Sequence, residues 1–198
     1  MKEIVKRPTN VTHSLLNLDK KLIAPNLNEI MNCSNFSNKS RLVGVTAYVL
    51  RFVSKLKQSA SGRKFTQSTE LKTKELTAHE LNEAETLWIR SLQMASFRAE
   101  IEFMTSQSQA IPLNLVRQFG LYIDNHQVVR CKGRINNAAL PSESKNPILL
   151  PSRDPFIDLL VREVLHRVKH SGIRDTLTTI RERFYVAGRW SSESLKNV

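Results

Sequence analysis

From Ser40 onward, apolar residues recur at three- and four-residue intervals: Leu42, Val45, Val49, Phe52, Val53 and Leu56. This is the spacing of one buried helix stripe, and it predicts a helix over 39–57 with Arg41, Arg51 and Lys55 turned to solvent. The periodicity then fails. Residues 58–76 gather Ser, Thr, Gly and Lys and read as a flexible basic linker. Thr77-Ala78-His79-Glu80 next presents a capping-box pattern, in which the threonine oxygen caps a backbone N–H and the glutamate reaches back. Leu81, Ala84, Leu87, Trp88, Leu92 and Ala95 mark one face of the long helix behind it. Glu75, Glu80, Glu83 and Glu85 lie near its start, where negative charge suits the positive end of the helix dipole. Residues 1–38, with short apolar patches among Asn, Pro and Ser, read as an irregular lead-in.

From Phe119 the period shortens. Leu121-Tyr122-Ile123, the turn-forming Asp124-Asn125 and the run from Val128 to Arg134 predict a β-hairpin. Pro147-Ile148-Leu149-Leu150-Pro151 predicts a short strand that its two prolines confine to an edge or terminus. Asp154-Pro155 is a helix start, with Phe156, Leu159, Leu160, Val164 and Val168 as its buried stripe. Ser171-Gly172 breaks the chain, and a second helix follows with Ile173, Leu177, Ile180 and Phe184 facing inward. The pattern contains no internal repeat. It predicts an α+β, helix-rich fold, with one region at 77–151 and another at 152–198.

Composition narrows the functional classes. The 198 residues carry 30 Lys and Arg against 18 Asp and Glu, a formal net charge of +12. With 40% hydrophobic residues, the chain has enough apolar mass for a core, which excludes a disordered tail, a collagen or a disulfide scaffold. The positive excess makes phosphate the natural partner, through counterion release. Cys33 and Cys131 stand far apart in no paired pattern. The first residues, Met1 to Pro8, lack an apolar signal core, and the stretch from Leu42 to Leu50 is too short to cross a bilayer. Sequons begin at Asn10, Asn32, Asn35 and Asn38 and read as accidents of an Asn- and Ser-rich stretch. The sequence therefore implies an intracellular protein, nuclear or cytoplasmic, that is neither secreted nor membrane-bound.

Candidate chemistry is sparse. His166 and His170 are the closely spaced metal-capable pair, four residues apart near a helix end. Spacing alone favours two polar residues at the negative end of a helix dipole over a ligand pair, because a structural zinc needs four ligands. Arg167 and Val168 follow His166, so the HExxH arrangement of metalloproteases is absent. Ser61-Gly62-Arg63-Lys64 lacks the first glycine of a phosphate-binding loop, and no Gly-x-Ser-x-Gly occurs.

The string from Val161 through His166, His170, Ser171-Gly172 and Thr176-Leu177 runs into Ile180-Arg181-Glu182-Arg183-Phe184-Tyr185-Val186. It resembles the N-terminal zinc-binding module of retroelement integrases: two histidines, a small-Gly-x-x-x-Thr turn, an Arg-rich helix and then CxxC. Leu42 to Phe52, Leu76 to Ile89, and Gly133-Arg134-Ile135 with Pro147 to Pro151 are similar to the preceding region of Pao/Bel-type retrotransposon polyproteins. The four motifs occur in one collinear order from Asn26 to Arg189. The resemblance implies zinc at His166 and His170, but the expected CxxC is missing before Val198, and Cys33 and Cys131 are in the wrong places to replace it. The resemblance thus implies an incomplete two-His, two-Cys module over 152–198, with weak or absent zinc. The integrase catalytic core, with its metal-binding carboxylates, is also missing, which implies a non-enzymatic region.

Between Arg162 and Arg189 seven basic residues stand against three acidic ones. Arg167, Lys169, Arg174, Arg181 and Arg183 are the candidate phosphate contacts; singly, each reads as well as part of a solvated face. Trp88 sits in an apolar stripe and reads as core rather than a base-stacking residue. The expected function is binding of DNA, either element ends or non-specific duplex, and assembly within a longer integrase polyprotein, with homo-oligomerisation open. The alternative is a degenerate, metal-free protein-interaction module. A hydrolase built on His166 and His170 lacks a suitably placed carboxylate base.

Overall fold

The computed structural model describes residues 26–60, 75–106, 111–132, 142–169 and 172–188. The fold is α+β and helix-rich, with a small four-stranded sheet. In chain order the elements are α1 (Leu27–Ile30), a 3-10 turn (Cys33–Asn35), α2 (Lys39–Ala60), α3 (Ala78–Ser96), α4 (Arg98–Thr105) and α5 (Asn114–Phe119). There follow β1 (Tyr122–Ile123), β2 (Val129–Arg130), α6 (Ser142–Lys145), β3 (Ile148–Leu150), α7 (Pro155–Arg167), α8 (Ile173–Arg181) and β4 (Phe184–Val186).

The sheet runs β1-β2-β3-β4. The hairpin pairs Tyr122 with Arg130 and Ile123 with Val129, antiparallel. Asp124 closes it, one carboxylate oxygen accepting the N–H groups of His126 and Val128 while the other takes the Arg130 guanidinium at 2.6 Å. β3 continues antiparallel to β2 through Arg130 and Ile148, and pairs parallel to β4. A parallel pair needs a crossover, and α7 with α8 supplies it. The boundary expected after residue 151 therefore falls inside this β3-α7-α8-β4 unit.

β3 is an interior strand, so of the edge or terminus expected from its prolines only the edge is overturned. Pro147 and Pro151 sit just outside it, so neither missing N–H is called on by the ladder. The Pro147 carbonyl accepts from Cys131, Ile148 donates to Arg183, and the Leu150 carbonyl accepts from Ala187. All three strand residues are buried. Ile148 and Leu150 join the larger core with Leu42, Trp88, Phe156, Leu160, Ile180 and Phe184, while Leu149 joins a second core with Phe97, Ile101, Leu121 and Val129. A sheet buried on both faces explains why its central strand is apolar at every position.

Thr77 and Glu80 form the expected capping box on α3. Ala84, Trp88 and Leu92 are buried as their spacing predicts, and Ala95 is exposed. Trp88 is core: its ring stacks on Phe156 at 5.9 Å and its indole N–H donates to Thr46 Oγ1 at 2.9 Å. Two expectations are overturned. The described part of the lead-in is ordered into α1 and the 3-10 turn. Leu27 and Cys33 are buried in the larger core, and the Leu27 N–H donates to Ser91 Oγ. On α2, running three residues past the expected end, the inward residues are Leu42, Val43, Thr46 and Ala47. Val45, Val49, Phe52 and Leu56, read from their spacing as buried, are exposed. A three-four repeat marks a stripe but does not say which of two adjacent stripes meets the core.

Candidate nucleic-acid and metal site

Asp154 accepts the Phe156 N–H as N-cap and Pro155 sets the first turn of α7. The helix ends on the basic residues His166 and Arg167, at the negative end of its dipole. Lys169 then adopts φ +50°, the left-handed conformation that stops the helix, and its N–H reaches the His166 carbonyl at 3.2 Å. α8 opens at Gly172, whose φ of +116° only glycine adopts freely. The Thr176 hydroxyl is buried and donates to the Gly172 carbonyl at 2.9 Å. The Ser171-Gly172-x-x-x-Thr176 spacing thus has a local physical role: the threonine ties the first turn of α8 to its cap.

The candidate phosphate contacts occupy different settings. Arg167, Lys169, Arg174 and Arg181 are exposed. Arg167 leans on Glu163 at 3.3 Å. Arg174 and Arg181 are seven residues apart on α8, about two turns, and share one face with Thr178 between them. Exposed Asp175 and Glu182 follow each of them by one residue. Arg183 differs from the expectation of an outward contact. It is half-buried, its guanidinium lies 3.5 Å from Glu85, and it sits over the Phe184 ring at 5.1 Å.

The partner of Arg183 belongs to a charge cluster the sequence did not reveal. Lys39 Nζ on α2 contacts Glu85 Oε1 on α3 at 2.8 Å and Glu163 Oε2 on α7 at 3.7 Å. Lys39 and Glu85 are both buried. Burial pushes the Glu85 carboxyl upward, but Lys39 first, and then Arg183, hold it below its ordinary value. Glu85 is therefore not an exposed dipole-matching acid, as its place near the start of α3 suggests. It is an interior anion joining α2, α3 and the turn before β4. Nothing in its sequence neighbourhood announces this, because its partners lie 46 and 98 residues away.

His166 is exposed on the last turn of α7, and His170 lies outside the described residues, as do Gly133, Arg134 and Arg189. Among the described residues no group of three or more His, Cys, Asp or Glu side chains is arranged to hold a metal ion. Cys33 and Cys131 are buried in different apolar clusters, and burial pushes both thiols up to about 12. Lying in separate clusters, the two thiols do not converge on one site. The described residues do not make up a zinc ligand set. A cleft of about 310 Å³ lies between α3, α4 and the hairpin, and its lining includes Arg90, Met94, Ile101, Ile123, Gln127 and Val129.

The described elements define an α+β protein in which helices flank both faces of a short mixed sheet. No described helix is long and apolar enough to cross a membrane. No family model matches the chain, and neither a curated protein nor a solved structure does.

Proposed function

We propose that the chain is a non-catalytic nucleic-acid-binding and assembly region of a Pao/Bel-like retrotransposon integrase, acting within a longer polyprotein. The observation that carries this reading is the set of exposed cations running from the end of α7 along α8. Arg167 ends α7, Lys169 follows it, and Arg174 and Arg181 lie on α8, all four exposed in a chain with net charge +12. Two arginines two turns apart on one helix face are spaced about 10 Å along it, within reach of neighbouring phosphates. The collinear motif resemblance supports the reading independently, and the Gly172–Thr176 tie gives one of those motifs a defined geometry. His166 and His170 are the zinc candidates within this proposal, and the resemblance is their support.

Duplex DNA binding measured by fluorescence anisotropy across a salt series tests the proposal. The parent should bind without sequence preference and lose affinity steeply as salt rises. Reversing Lys169, Arg174 and Arg181 to Glu should weaken binding and flatten the log–log salt slope by about one unit for each phosphate no longer neutralised. Arg183 is left intact, since its loss would strip Glu85 of a partner. Equal binding by the triple variant at every salt concentration would show that the assigned face is wrong.

The second reading, a metal-free protein-interaction module, is favoured by the exposed apolar residues of α2. A chain that binds no duplex even at low salt would turn the choice to it.

A further inference from the structure

The α2 face that turns away from the core is built like a seam. Val45, Val49, Phe52 and Leu56 follow one another at four, three and four residues, with exposures of 38, 39, 61 and 48%. At about 100° per residue they fall in a strip roughly 60° wide and about 16 Å long, with exposed Tyr48 at its edge. Four-three-four spacing is that of the knobs in a helix–helix contact, narrower than the broad apolar face with which a helix lies in a lipid interface. The ridge is also held rigidly. Val43 and Ala47 on the far side of the helix, and Leu42 beside the ridge, are buried. Arg51 is clamped by both Glu80 oxygens at 2.6 Å, and its guanidinium lies 5.7 Å from the centre of the Tyr48 ring.

Charge says what fits there. α2 contains Lys39, Arg41, Arg51, Lys55 and Lys57 and no acidic residue. Lys39 and Arg51 are engaged by Glu85 and Glu80, while Arg41 and Lys55 are exposed beside the ridge. A second copy would bring like charges together. The chain's own segments 1–25 and 61–74 are a poor match too, with five basic residues against two acidic, and four against one. Opposite charge at the positions flanking the seam is what sets partner choice in paired helices.

We propose that the outward ridge of α2 is a docking seam for an acidic amphipathic helix of another protein, which packs apolar residues between Val45 and Leu56 and sets carboxylates against Arg41 and Lys55. This surface is separate from the α7–α8 face and does not depend on DNA binding.

The test titrates the full 198-residue chain into a labelled heptad peptide about four heptads long, with Leu at a and d and Glu at e and g, whose own charges oppose self-pairing. The same peptide with Lys at e and g is the charge control. The acidic peptide should bind at least about tenfold more tightly than the basic one. Val49→Ser with Phe52→Ser should lose at least about tenfold of that affinity with an unchanged melting curve, since both side chains are exposed. Arg41→Glu with Lys55→Glu should weaken it too, and Arg174→Glu with Arg181→Glu should leave it unchanged. Equal binding of the two peptides, or of the ridge variant and the parent, overturns the proposal. So does binding to phosphatidylglycerol vesicles that the ridge variant loses while the acidic peptide fails to bind, or a dimer in sedimentation that only the ridge variant abolishes.

Discussion

Gln93 is the residue on which the two cores and the sheet meet. It is 1% exposed, and it stands in for a missing rung of the β2–β3 ladder. Its Nε2 donates to the carbonyls of Val129 and Leu149 at 2.9 and 2.7 Å, and its Oε1 accepts the Val129 N–H at 2.8 Å. Gln93→Leu keeps the volume but leaves three buried backbone groups without this partner. At about 1–3 kcal/mol for each such group, the variant should lose about 3 kcal/mol or more in chemical denaturation. The Lys39–Glu85 pair obeys a related rule. Lys39→Met leaves a buried carboxylate short of its closest cation and should cost about 3 kcal/mol. Adding Glu85→Leu should recover a good part of that loss, because the uncompensated charge goes with it. A double-mutant cycle by urea unfolding reads the difference.

At the scale of elements, the clasp between α2 and the start of α3 does most to fix the long helices. The Thr77 N–H and hydroxyl both donate to Glu80 Oε2, the Glu80 N–H donates to Thr77 Oγ1, and Arg51 takes both carboxylate oxygens and the Glu75 carbonyl. Arg51 first, and the Thr77 N–H second, hold the Glu80 carboxyl down from 4.5 to about 2. A carboxyl depressed by folding adds stability that is present above its ordinary value and fades as pH falls toward the folded one. The melting temperature should therefore drop between about pH 4.5 and 2. Glu80→Gln should lower it at neutral pH and flatten that part of the profile. The capping box was legible because its four residues are contiguous. The arginine that completes it is 29 positions away and carries no local mark.

For the whole molecule, the main consequence is that α7 and α8 belong to the common core. Phe156, Leu159, Leu160, Val164, Ile180 and Phe184 share one cluster with Leu27, Leu42, Trp88 and Ile148. Isolated residues 152–198 would lose the partners of those side chains and the β3 strand on which β4 pairs. That peptide should be unfolded, with collapsed amide shift dispersion by NMR, while the full chain shows a cooperative transition. A dispersed spectrum from the peptide would mean that its helices need no support from α2 and α3.

What the sequence determined by itself was whatever is written locally. The capped start of α3, the Asp154-Pro155 opening of α7, the Ser171-Gly172 break and the hairpin around Asp124 are each set by a few adjacent residues whose backbone preferences or hydrogen bonds act within one turn. The four exposed cations at the end of α7 and along α8 were legible for the same reason, since they cluster in sequence. Tertiary structure decided the rest. Only packing chose which stripe of α2 meets the core, drew Glu85 and Arg183 inward, and put the proline-bounded β3 between two partners. Each of those outcomes depends on segments tens of residues apart, where burial and charge pairing are set by what arrives from elsewhere in the chain and not by the spacing of neighbours.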